Sequence, residues 1–280
     1  MTTNKTRWWL VGLVCLALLP AHAIAHRVAS PQDGPWETYM VAGDEAYHKG
    51  DYWEAVKQWV AAVKEAEGFG PQYERLVTSL NDLGELYLIL GKYAEAEPLL
   101  KRSLAIRENA LGPEHPQLAT TISNLAEAYR YQARYAEAEP LHLRALAIRE
   151  KALGPEHSDV GQSLNNLALL YQAQGNYAEA EPLLTRALAI QEKTLGSAHP
   201  HVAIGLENYA ILLRDTGRHA EAEPLFRRAL AILEKIRGPE HRDLAPTLDN
   251  YANLLRATGR SDEAERMEAR AKAIRAKHAK

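Results

Sequence analysis

Four histidines, His115, His157, His199 and His241, stand 42 residues apart in a chain of 280, three of them inside the phrase Gly-Pro-Glu-His. Imidazole is the side chain best suited to ligate a transition metal or to carry a proton near neutral pH. A metal site gathers its ligands at one locus, whereas residues supplied once per repeat fall about 10 Å apart along packed helices, so this spacing points to joint packing or helix capping. His199 and His201 are close in sequence, with Pro200 between them, and two nitrogens without a third ligand make a weak site. Ser, His and Asp are all present, but no Gly-Xaa-Ser-Xaa-Gly nucleophile motif and no Gly-rich phosphate loop occurs. The residues therefore point to no catalysis, no metal and no cofactor. An enzyme or metal protein using the joint histidines is the third of three readings.

The elements that carry these residues repeat with them. Tyr-Ala-Glu-Ala-Glu-Pro-Leu begins at Tyr93, Tyr135 and Tyr177, and decayed forms begin at His219 and Ser261, every step being 42 residues. Asn-Leu-Ala or Asn-Tyr-Ala keeps the same step from Asn124, Asn166, Asn208 and Asn250. A fixed period of this length marks a repeat array, in which each unit buries its apolar face only against its neighbours. Each period holds two helical patterns. Leu164, Leu167, Ala168 and Tyr171 share one face of the first, and Ala180, Leu184, Ala187 and Leu188 share one face of the second. Gly175, between them, suits the left-handed turn that ends one helix before the next begins. The chain is 46% hydrophobic and 25% charged, rich in Ala, Leu and Glu, which fits helices packed closely through small residues and gives no strand signal. Its formal net charge is -3, or -5 once Lys5 and Arg7 are left out, and that balance offers no basic face for nucleic acid.

Residues 1–25 read as a secretory signal: Lys5 and Arg7, an apolar run from Trp8 to Leu19, and the small-residue ends Ala-His-Ala and Ala-Ile-Ala, with cleavage expected after Ala23 or Ala25. An exported chain, periplasmic or extracellular, is the expectation. Retention of residues 8–25 as a membrane anchor is the alternative, and only then is a membrane a partner. Residues 26–35 read as a flexible leader, and 36–280 as the array.

Leu164, Leu167 with Ala168, Tyr171, Gly175, Tyr177, Ala180, Leu184 and Ala187 reproduce, residue by residue, the pattern of the tetratricopeptide repeat. Eight residues beyond its usual 34, together with Ala-Glu-Pro-Leu and Leu-Gly-Pro-Glu-His-Pro, make the repeats resemble the kinesin light chain type. The resemblance implies an all-α, right-handed solenoid of paired antiparallel helices. It counts six units, the first and last acting as caps, the last because Arg266, Glu268 and a basic tail replace apolar residues. It further implies that the recurring Asn124, Asn166, Asn208 and Asn250 bond neighbouring backbone. The positions one before, three after and six after that Asn, and likewise about Asp82 of Asp-Leu-Gly in the same register, should line a concave groove that takes an extended peptide. These are Asn81, Glu85 and Leu88; Ser123, Glu127 and Arg130; Asn165, Leu169 and Gln172; Glu207, Ile211 and Arg214; Asp249, Asn253 and Arg256. Amides suit a peptide backbone and arginines suit carboxylates. The expected function is thus a protein-interaction scaffold, and the runner-up is an assembly or oligomerisation scaffold using the convex face or the caps.

Overall fold

The computed structural model describes residues 34–68 and 73–278, which form twelve α-helices and no strand. The expected signal lies outside the described residues, and so does the leader up to residue 33. No helix among the described residues is long and apolar enough to cross a membrane. The contacts group the chain into two compact units that divide between residues 152 and 153.

The N-terminal unit comprises α1 (Pro35–Lys49), α2 (Tyr52–Gly68), α3 (Tyr73–Ile89), α4 (Tyr93–Leu111), α5 (Leu118–Tyr131) and α6 (Tyr135–Leu153). The C-terminal unit comprises α7 (Ser158–Gln174), α8 (Tyr177–Leu195), α9 (Pro200–Asp215), α10 (His219–Arg237), α11 (Leu244–Ala257) and α12 (Ser261–His278). In each, odd-numbered first helices and even-numbered second helices form successive hairpins, as the two patterns per period require. Four second helices open on the Tyr-Ala-Glu-Ala phrase or its His variant, so Glu95, Glu137, Glu179 and Glu221 sit in the first turn, where a carboxylate meets the positive end of the helix dipole. Pro98, Pro140, Pro182 and Pro224 lie inside these helices, which continue through them.

Two kinds of turn punctuate the chain. Within a hairpin the break is left-handed, at φ 80° for Gly50 and 81° for Gly175. Between hairpins, Gly112, Gly196 and Gly238 take φ 84–89° with ψ 151–162°, a region essentially closed to residues with a Cβ. The joint's charged residues then reach along the array. Lys151 pairs with Glu114 at 2.6 Å and Lys193 with Glu156 at 3.0 Å, and Lys277 pairs with Glu240. Arg144 donates to the Pro113 carbonyl at 2.5 Å, and Arg270 does the same to Pro239 at 2.7 Å. Each exposed pair contributes little alone, but the carbonyl contacts phase one second helix against the joint before it.

The cores are built from small and aliphatic side chains. In the N-terminal unit Trp36, Met40, Trp59, Leu83 and Leu86 pack together, and Gly43 exists because a Cβ there would stand 2.3 Å from the Trp59 indole nitrogen. In the C-terminal unit Leu206, Phe226, Leu233, Leu248 and Leu255 form the equivalent cluster, which runs on to Ala264, Ala271 and Ile274 of α12. The polar last helix is therefore a cap with a narrow apolar seam.

Candidate functional site

The joint histidines bond the backbone at the start of the next first helix, His157 and His199 as its N-cap residue and His115 and His241 from the turn two residues before the N-cap. Nδ1 of His115 accepts from the Gln117 amide at 3.3 Å, and that of His157 from Asp159 at 3.2 Å. His199 does the same for the His201 amide at 3.2 Å, and His241 for Asp243 at 3.3 Å. Each imidazole thus satisfies one of the orphan N–H groups at the start of the next first helix. The His199 and His201 rings meet edge to face, centroids 5.0 Å apart, and burial, followed by the charge of His199, holds His201 below the usual imidazole range. No group of three or more potential ligands occurs among the described residues.

The expected groove residues have a different disposition from an open lining. Ser123, Glu127, Asn165, Leu169, Gln172, Glu207 and Ile211 are all buried, and Leu88 is completely so. The reason is geometric: the position one before the recurring Asn falls at the seam where adjacent first helices meet, while Glu127, three after, faces His142 of its own hairpin. In the N-terminal unit, Asn81 Oδ1 accepts from Ser103 at 2.8 Å and from Thr121, on the next first helix, at 3.1 Å. In the C-terminal unit, Asn165 Oδ1 accepts from Asn208 Nδ2 at 2.9 Å, and Gln172 donates to the Asn208 carbonyl at 3.4 Å. One helix further on, the two carboxylate oxygens of Glu207 accept from Thr247 and Asn250, each at 2.8 Å. Asn124, Asn208 and Asn250 thus bond a side chain of the preceding first helix, where the resemblance implied neighbouring backbone. They bridge repeats because their register faces the preceding helix's amide or carboxylate.

Burial sets the charges. Glu207 is pushed above the usual carboxylate range by desolvation, against the two donors that hold it. Glu85 keeps part of its surface, yet its carboxyl is largely withdrawn from water and is raised to about 7, with Asn124 opposing the rise. Glu127 is desolvated too, but the charge of Arg130 and the nearby His142 more than offset that and hold it at about 2. Arg130 grips Glu127 with Nε at 3.1 Å and a terminal nitrogen at 2.6 Å, and its guanidinium lies 4.1 Å over the Tyr131 ring, which stacks on Tyr93 at 4.6 Å.

Part of the expected set stays at the surface of the C-terminal unit. Arg214 bonds its neighbour Asp215 at 2.8 Å, and Arg256 is exposed, bound to Glu268 at 2.8 and 2.7 Å. Asn253 and Asp249 are half-buried, Asp249 paired with Arg275. Sequence reasoning passes over His142, although it stands at the register where Leu100, Leu184 and Phe226 occur, and that departure is the signal that marks it.

The model of the tetratricopeptide repeat matches residues 36–109, 74–151, 117–193, 159–234 and 201–277. A solved structure of kinesin light chain nearly identical TPR-like repeats from Podosopora anserina is 33% identical over 74% of this chain and 98% of its own, with a TM-score of 0.58. BtubC (BKLC) of P. vanneervenii is 24% identical over 88% of this chain and 93% of its own, TM-score 0.62. A Rap protein in complex with Competence and Sporulation Factor is 13% identical over 88% and 76%, TM-score 0.67, a likeness of fold alone. No match is found among curated proteins.

Proposed function

We propose that this chain, which belongs to the tetratricopeptide repeat family and carries its repeats in the kinesin light chain form, is a protein-interaction scaffold holding an extended segment of a partner on its first-helix faces. The observation that carries this reading is the placement of Arg214 and Arg256 at one register of successive first helices, α9 and α11, with Asn253 beside them. The present partner of Arg256, Glu268, forms an exposed ion pair that is cheaply exchanged for a carboxylate of a bound segment, while Arg214, paired with Asp215, is more buried and its charge also acts on Glu207. Arg130 is excluded from that role. Its partner Glu127 is buried, and removing one member of such a pair costs about 3 to 5 kcal/mol. The Rap complex supports the reading only as an instance of a related fold engaged with another molecule.

The scaffold works, in this proposal, outside the cytoplasm, on the strength of the signal-like residues 1–25. A second reading, assembly through the N-terminal cap, is favoured by Trp53 and Val60, which are 61% and 45% exposed on α2. Both are tested by using the chain from His26 onward as bait against extracytoplasmic and cytosolic extracts of its host. The proposal expects a partner from the extracytoplasmic extract, bound at least about tenfold more weakly by the Arg214→Ala/Arg256→Ala chain. A partner indifferent to those substitutions and lost with Trp53→Ala supports the second reading, and a purely cytosolic partner overturns the compartment.

A further inference from the structure

The repeats of this chain are so alike that their hairpins could pair in the wrong order, a known hazard of repeat arrays. At two registers the hairpins differ, and the third combines two polar residues. Where α7 and α9 carry Leu169 and Ile211, α5 carries Glu127, with Glu85 on α3 and Asn253 on α11; where α4, α8 and α10 carry Leu100, Leu184 and Phe226, α6 carries His142, with Glu268 on α12. Glu127 and His142 face each other. His142 is 1% exposed and Glu127 4%, and the imidazole Nε2 stands 3.3 Å from Glu127 Oε1, within ion-pair distance but without hydrogen-bond geometry, and no other group bonds that nitrogen. Arg130, on α5 itself, takes both carboxylate oxygens, and Tyr93 of α4 is the remaining titratable neighbour.

We infer that Glu127 and His142 form a buried register lock, which makes α5 accept α6 and reject every other second helix of the chain. Arg130 travels with Glu127, so it cannot discriminate; His142 is the group that only α6 supplies. Paired with another second helix, the carboxylate would meet Trp59, Leu100, Leu184, Phe226 or Glu268 and keep a buried charge short of one partner. The reverse error puts a buried imidazole against Leu169 of α7 or Ile211 of α9, and only Glu85 of α3 would offer it another carboxylate. Glu85 provides an internal contrast. It occupies the same register on α3, opposite a hairpin whose second helix carries Leu100, and no cation is bonded to it. A buried ion pair commonly adds no net stability over a well-packed apolar pair, which leaves specificity as the reason to keep one; a polar residue fixing register in coiled coils is the best-attested precedent.

The test transplants the chain's own apolar solution. Glu127→Leu/Arg130→Gln/His142→Leu copies Leu169, Gln172 and Leu184 into the third hairpin, a combination that folds in this molecule already. The full mature chain is refolded from denaturant, and the fraction recovered in the parent's size-exclusion peak with native helical circular dichroism is measured. A lock predicts that the triple variant keeps its thermal midpoint within a few degrees while its recovery falls at least about twofold, the lost material running as misassembled or swapped species. His142→Gln, which can donate to Glu127, recovers like the parent, and His142→Leu does not. Recovery of the triple variant equal to the parent's, or of His142→Gln as poor as that of His142→Leu, overturns the proposal.

Discussion

At the scale of single residues, the repeat makes each departure informative. Gly91, Gly175, Gly217 and Gly259 occupy the hairpin turn with positive φ, and Ala133 holds the same place at φ 57°. An L-residue in this left-handed region pays about 1 to 2 kcal/mol that glycine does not, and the added flexibility of glycine in the unfolded chain returns part of that. Ala133→Gly is therefore expected to stabilise the N-terminal unit by about 0.5 to 1 kcal/mol, read as a higher denaturant midpoint at unchanged slope in the emission of Trp36 and Trp59. A lower midpoint would show that the turn is shaped by something other than its backbone angle. The joint histidines belong to the same scale. Their type suggested chemistry and their spacing argued against it, and the Nδ1 contacts assign His157 and His199 to capping and His115 and His241 to the turn that precedes the cap.

At the scale of elements, the caps decide where the array stops. Helix α12 buries Ala264, Ala271 and Ile274 and leaves Arg266, Lys272 and Arg275 exposed, so it closes the apolar flank of α11 without presenting a new one. Deleting Asp262 to Lys280 uncovers Tyr251, Leu254 and Leu255, a contiguous patch of the kind that drives association. The truncated chain is expected to elute as dimer or larger species where the full chain does not. Unchanged elution and stability would make α12 an appendage rather than a cap. The helices themselves, their order and their hairpin pairing were legible in the sequence, because the 42-residue period and the 3.6-residue periodicity reinforce one another. The expected groove residues were legible as a register along the first helices, but their burial was not. The register does not say that Asn165 meets Asn208, or Glu207 meets Asn250, across the seams, because that depends on how closely the first helices approach.

At the scale of the whole molecule, the chain divides its polar residues between two tasks. Buried amides and carboxylates on the first helices join neighbouring repeats within each unit, which is why Asn81, Asn165 and Glu207 are spent on the fold. The surface we propose for a partner is narrower than the sequence suggests and lies in the C-terminal unit, around Arg214 and Arg256. His142 was passed over because an unbroken period draws attention to what repeats, whereas its role lies in what does not. Amide hydrogen exchange of the chain from His26, free and saturated with the captured partner, tests the central claim most directly. The account predicts slowed exchange on α9 and α11, with α8, α10 and α2 unchanged, and loss of that protection in the Arg214→Ala/Arg256→Ala chain. Protection confined to the second helices or to α2, with α9 and α11 unaffected, would contradict it.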